Sequence, residues 1–225
     1  MASYKINFAR INNCPDANAI FKAMKSFGMP NDAPMGILGC KIVGDGVSAD
    51  IVFLEQVSIR RLNREELEIE DATVEKATVY PVGIFPARGI LETYDGGASG
   101  IEEVAAFLAG CLLLPTFIDH IEIDLPATVQ KLREKTQRFQ LKKLRATEYA
   151  HSSYASGPYA PAFLDTPHGE EFLEEYVDYM AAATVQFQMD CGKSTLHLGT
   201  KACFRFSVKD DQDKDKVHSI LRELL

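Results

Sequence analysis

Residues 195–225, TLHLGTKACFRFSVKDDQDKDKVHSILRELL, carry the pattern that decides the fold. Thr195–Leu198 and Ala202–Val208 read as two strands, and Gly199 marks the turn between them. An acidic stretch follows. From about Asp213 onward, Val217, Ile220, Leu221 and Leu224 recur at helical spacing. Residues 79–114 show the same order of strand, turn, strand, turn and helix. There Ile90, Leu91 and Tyr94 form the second strand, Asp95-Gly96-Gly97 the turn, and Ile101–Leu114 the helix. Identity between the two segments is negligible. A duplicated hairpin-plus-helix unit and an independent recurrence of a common arrangement both account for the echo.

The flanking sequence uses the same signals. Residues 4–11 alternate like a strand, and Pro15-Asp16 open a helix carrying Ile20, Phe21, Met24 and Phe27, stopped by Gly28. Residues 37–43 and 48–54 flank Gly44-Asp45-Gly46, a hairpin signal. Residues 66–70 and 73–84 read as two strands. Asp124 caps a helix bearing Val129 and Leu132 that runs to about Arg138, and 139–149 return as a strand. Residues 151–168 form the longest irregular segment, followed by a helix over about 170–182 and a strand over 184–189. Hairpins outnumber strand–helix–strand alternation. The expectation is an α+β fold, a mostly antiparallel sheet with helices packed on one face. A single domain over 1–225 is expected, with candidate subdivisions near 115–125 or within 151–168.

Composition bounds the function classes. At 225 residues, 46% hydrophobic and 25% charged, the chain has enough apolar surface to build a core, which excludes wholesale disorder. The N-terminus lacks a charged stretch followed by an apolar run, and no window approaches about 18 apolar residues. A cytoplasmic protein that does not engage a membrane is expected. Lys plus Arg number 24 against 32 Asp plus Glu, a net charge of −8, which excludes a generally basic nucleic-acid coat. Cys14, Cys40, Cys111, Cys191 and Cys203 contain no CxxC pair, so reduced thiols are expected; a redox or metal role needs a second ligand nearby.

One stretch departs from the acidic average. Residues 131–145, KLREKTQRFQLKKLR, hold Lys131, Arg133, Lys135, Arg138, Lys142, Lys143 and Arg145 against the single acid Glu134. Lys131, Lys135 and Arg138 fall at i, i+4 and i+7, one face of a helix. Lys143 and Arg145 share one face of the following strand. Such a surface can hold phosphates at several points, with Phe139 or Tyr149 adding stacking. On that reading, reversing Lys131, Lys135 and Arg138 to Glu abolishes nucleic-acid binding. Pairing with acids elsewhere in the fold is the competing reading.

Phosphate-loop, dinucleotide, nucleophile-elbow, zinc-protease and EF-hand spacings are absent. The five histidines show no metal-ligand spacing, and no metal or cofactor is expected. His151 and His168 bracket the irregular segment, with Ser152, Ser153 and Asp165 beside them as the nearest thing to a nucleophile–base set. Three functions follow. The leading one is a non-catalytic binding or assembly subunit, with a protein partner or self-association, that contacts nucleic acid or another polyanion through 131–145. The alternatives are an enzyme with its site at 151–168 and a structural homo-oligomer subunit.

Overall fold

The computed structural model describes residues 2–29, 33–63, 68–94, 98–112, 117–152, 155–164 and 166–225. In chain order the elements are β1 (Ala2–Asn12), α1 (Ala17–Phe27), β2 (Met35–Val43), β3 (Gly46–Asn63), β4 (Glu68–Phe85), β5 (Ile90–Tyr94) and α2 (Ala98–Leu112). There follow β6 (Phe117–His120), α3 (Leu125–Lys135), β7 (Gln137–Ser152), β8 (Ala155–Tyr159), α4 (Thr166–Glu175), β9 (Met180–Met189), β10 (Gly192–Gly199), β11 (Cys203–Val208) and α5 (Asp211–Leu224). The fold is α+β with a mostly antiparallel sheet. No helix among the described residues is long and apolar enough to cross a membrane.

The chain divides into two compact units, one of residues 1–9 with 120–225, the other of residues 10–119. In the second unit β2, β3, β4 and β5 are neighbours in that order, and the end of β1 lies beside β5. Local chemistry sets its first helix. The Asp16 carboxylate accepts from Ala19 N–H at 2.9 Å, and Gly28, at φ 55°, donates its N–H to Met24 O at 3.1 Å. Ile20 and Met24 are buried toward the sheet, and Phe27 meets Phe107 of α2 edge-on at 5.1 Å. β3 and β4 pair along their whole length, Val47↔Ile84 to Asn63↔Glu68. β2 accompanies β3 only to Phe53, and β5 accompanies β4 only from Val82. The outer part of the hairpin is therefore a two-stranded ribbon, with Ile59, Leu62 and Ile69 exposed and Arg60–Asp71 and Arg61–Glu70 pairs across it.

At the β2–β3 turn, where β3 begins, a glycine is required for space. A Cβ on Gly46 would lie 2.6 Å from both the Ile84 carbonyl oxygen and the Phe85 ring. Gly46→Ala is expected to cost about 2 kcal/mol, because backbone must move to admit it. That corresponds to a fall of roughly 6 °C in Tm. Gly110→Ala, where a Cβ meets nothing within 4 Å, is the control; equal Tm values for the two variants would refute the steric account.

The first unit has the neighbour order β1-β11-β10-β9-β7-β8. Asp124 caps α3 through Ala127 N–H at 3.0 Å, and Asp210 caps α5 through Gln212 N–H at 3.0 Å. Helices α3 and α5 touch one another and pack on β9, β7 and β11, while α4 lies on β7. Beneath them Leu141, Leu144, Val185, Phe187, Leu196, Leu198, Phe204 and Phe206 are buried. This is the one-sided helix layer expected from the sequence.

Setting aside β8 and α4, both halves read strand, helix, four strands, helix. Both place the four strands in chain order, β2-β3-β4-β5 and β7-β9-β10-β11. The echo at 79–114 and 195–225 maps onto β4-β5-α2 and β10-β11-α5.

Local differences from the sequence reading have physical causes. α3 stops at Lys135 because Thr136 is extended, with its hydroxyl bonded to Leu132 O at 2.6 Å. Residues 66–70 and 73–84 belong to a single strand, β4, over its described range, because β4 pairs with β3 without a break from Glu68 to Ile84. The 151–168 segment is not irregular throughout, since β8 pairs with β7 and α4 begins at Thr166. The helix expected to reach residue 182 ends at Glu175, and β9 begins at Met180.

Candidate anion-binding face

Alternation in the first unit's strands sends one set of side chains into the core and the other to the opposite face, where the described side chains are exposed or half-buried. Register then decides which of the outward residues are neighbours. Lys5 pairs with Arg205, Arg205 with His197, His197 with Thr184, and Thr184 with Lys143. These five residues form one row across five strands, β1, β11, β10, β9 and β7. At about 4.8 Å per strand the row spans roughly 19 Å. Arg205, His197 and Lys143 are exposed and Lys5 is half-buried.

The flanking rows are polar. Ser3, Ser207, Thr195, Gln186 and Gln140 make the row on one side, and Lys193 stands beyond it opposite Gln188. On the other side Arg145 faces Ala182, which faces Gly199. None of these register positions holds Asp or Glu, although the first unit's sequence contains sixteen of them. Several acids lie with the helices. Arg133 meets Glu170 of α4 at 2.9 Å, Lys135 pairs with Glu223 of α5, and Lys216 pairs with Asp190.

The seven cations of 131–145 are thus divided. Lys131, Arg133 and Lys135 lie on α3 in the helix layer, and two of them are already paired with carboxylates. Arg138 is not on the helix face expected for it; it lies in β7 with φ 50°. Lys142 sits at a bulge between Leu141 and Lys143. That bulge lets both Leu141 and Leu144 point into the core, so Lys143 and Arg145 share the open face, as alternation predicts. Lys131, Arg138, Lys142, Lys143 and Arg145 make no ion pair among the described residues.

A cavity of about 440 Å³ opens beside the row, lined by Lys5, His197, Leu198, Gly199, Cys203 and Arg205. Gly199 leaves its floor open, since a Cβ there would meet nothing within 4 Å. His197 Nδ1 shares a hydrogen bond of 2.9 Å with Thr184 Oγ1. Burial first, then the charges of Arg205 and Lys143, hold the imidazole below its usual range. It is therefore neutral near pH 7, flanked by fixed positive charge.

Other groups offer less. Burial pushes the Cys14 thiol up to about 11 and raises Cys40 and Cys111, so these thiols are protonated and weakly nucleophilic at neutral pH. All five cysteines are free. No three His, Cys, Asp or Glu side chains converge as metal ligands among the described residues. Of the 151–168 set, Ser153 and Asp165 lie outside the described residues, as do the side chains of His151 and Ser152, and His168 is exposed. The side chain of Tyr149 also lies outside them.

Sequence reading found Lys143 and Arg145 but missed Lys5, Lys193, His197 and Arg205. The signal available was strand alternation, which places each on an outward face; their adjacency depends on cross-strand register. No protein-family model matches the chain, and no curated protein matches it.

Proposed function

We propose that the chain is a non-catalytic binding subunit that engages a polyanion, a nucleic acid foremost, through the open face of the first unit's sheet. The observation that carries this reading is the acid-free row of Lys5, Arg205 and Lys143, extended by Arg145 and Lys193, in a chain of net charge −8. Fixed cations on an exposed, hydrogen-bonded platform suit phosphates, because each contact releases condensed counterions. The rows around His197 hold Gln, Ser and Thr rather than aromatic rings, so the face offers phosphate contacts in preference to base stacking.

The test is fluorescence anisotropy with a 20-base-pair duplex. With about four phosphates neutralised, affinity is expected to fall roughly a hundredfold between 50 and 200 mM NaCl. Lys143→Glu with Arg145→Glu is expected to weaken binding at least tenfold at 50 mM, and Lys131→Glu with Lys135→Glu by less than threefold. The reverse ranking would move the interface to the helix layer. Absence of binding by the native protein at 50 mM salt removes the reading altogether.

A further inference from the structure

We infer that the cavity beside His197 is a proton-coupled site for a single phosphoryl group, a phosphate monoester or a terminal phosphate. This rests on the reading of the face as a phosphate platform and specifies its centre. Three features support it. Lys5 and Arg205 sit directly opposite one another on β1 and β11 and both line the cavity. Gly199, in the flanking row two residues along β10 from His197, faces open space, which lets a ligand approach the backbone beside them. The imidazole lies next in the row, tethered by Thr184.

The charges around His197 determine how it responds. From β11 it faces Arg205, from β9 the neutral Thr184, and beyond that from β7 Lys143; Lys5 of β1 stands on the far side of Arg205. Its own strand supplies Thr195 and Gly199 on the same face. In the free protein Arg205 and Lys143 act on an imidazolium here as like charges. A bound dianion reverses that field, so the anion and the proton favour one another, and the coupling is reciprocal. Binding takes a proton from solvent onto His197, whose ring becomes a further donor to the phosphate oxygens; no covalent bond forms or breaks.

Sulfate is the first probe because its charge is constant between pH 5.5 and 8. By NMR, the His197 ring midpoint in the native protein is expected to rise by about one pH unit in sulfate relative to chloride at matched ionic strength. One unit corresponds to a tenfold change in affinity. Sulfate is therefore expected to bind about tenfold tighter when His197 is charged than when it is neutral. His197→Gln is expected to keep measurable sulfate binding but vary less than twofold with pH, and Arg205→Gln to weaken binding about tenfold. A 5′-phosphorylated duplex is expected to outcompete its 5′-hydroxyl counterpart for sulfate. A midpoint unmoved by sulfate, or pH dependence surviving in His197→Gln, overturns the inference. If the native protein still binds duplex DNA in that case, the polyanion face stands and only the phosphoryl site falls. If neither sulfate nor duplex binds, both fall.

Discussion

Phe206→Ala is expected to cost about 4 kcal/mol of folding stability, the largest effect of any single substitution considered. Phe206 is 0% exposed on β11. It stacks on Tyr4 at 5.5 Å between centroids and meets the His218 ring of α5 edge-on at 5.3 Å. Truncation removes the ring's transfer free energy and leaves a cavity between sheet and helix, and such changes cost about 3–5 kcal/mol. A domain has only about 5–15 kcal/mol to lose. Urea unfolding of the native protein, Phe206→Ala and Phe206→Leu would measure it. Leucine keeps most of the contact, and its loss is expected to be under half that of alanine. If alanine costs less than 1 kcal/mol, Phe206 is not part of the core described.

The second large effect belongs to acid. His218 is 5% exposed, and burial, with Arg222 and Lys214 adding to it, lowers its pKa from 6.5 to about 4. The unfolded chain therefore binds a proton at a higher pH than the folded one. Its neutral, packed ring contributes stability that is complete above about pH 6.5 and is lost as pH falls towards 4. That gap is worth about 3 kcal/mol. Carboxylates titrate in the same range, so the informative quantity is the difference between native protein and His218→Leu. The native stability curve is expected to drop about 3 kcal/mol more between pH 7 and pH 4 than the variant's. Parallel curves would show that His218 titrates normally. Phe206→Ala should also shrink the acid effect, since water reaching the imidazole restores its usual affinity for protons.

Sequence alone carried the local features of this fold and little of the site. The Asp16 start and Gly28 stop of α1 are readable because capping acts within one turn. The strand–strand–helix order of 195–225 is readable because alternation and helical period differ so plainly there. Arg138 misled because it keeps helical phase with Lys131 and Lys135; Thr136 ends the helix through its hydroxyl bond to Leu132 O, a weak cue among seven cations. Residues 151–168 misled because three prolines suggest a loop, yet Pro158 lies in β8, the last strand of its unit's order. The row itself was out of reach. Positions 5, 143, 197 and 205 become neighbours only through four strand registers, and a slip of one residue would turn any of them into the core.

The β3–β4 ribbon has a consequence for handling the protein. Outside the span covered by β2 and β5, its outer backbone edges have no strand beside them among the described residues, and Ile59, Leu62 and Ile69 add greasy surface. Such a ribbon is a template for fibril growth. The Arg60–Asp71 and Arg61–Glu70 pairs act as gatekeepers on it. Concentrated stocks are therefore expected to owe their shelf life to four charged side chains on the outer part of one hairpin.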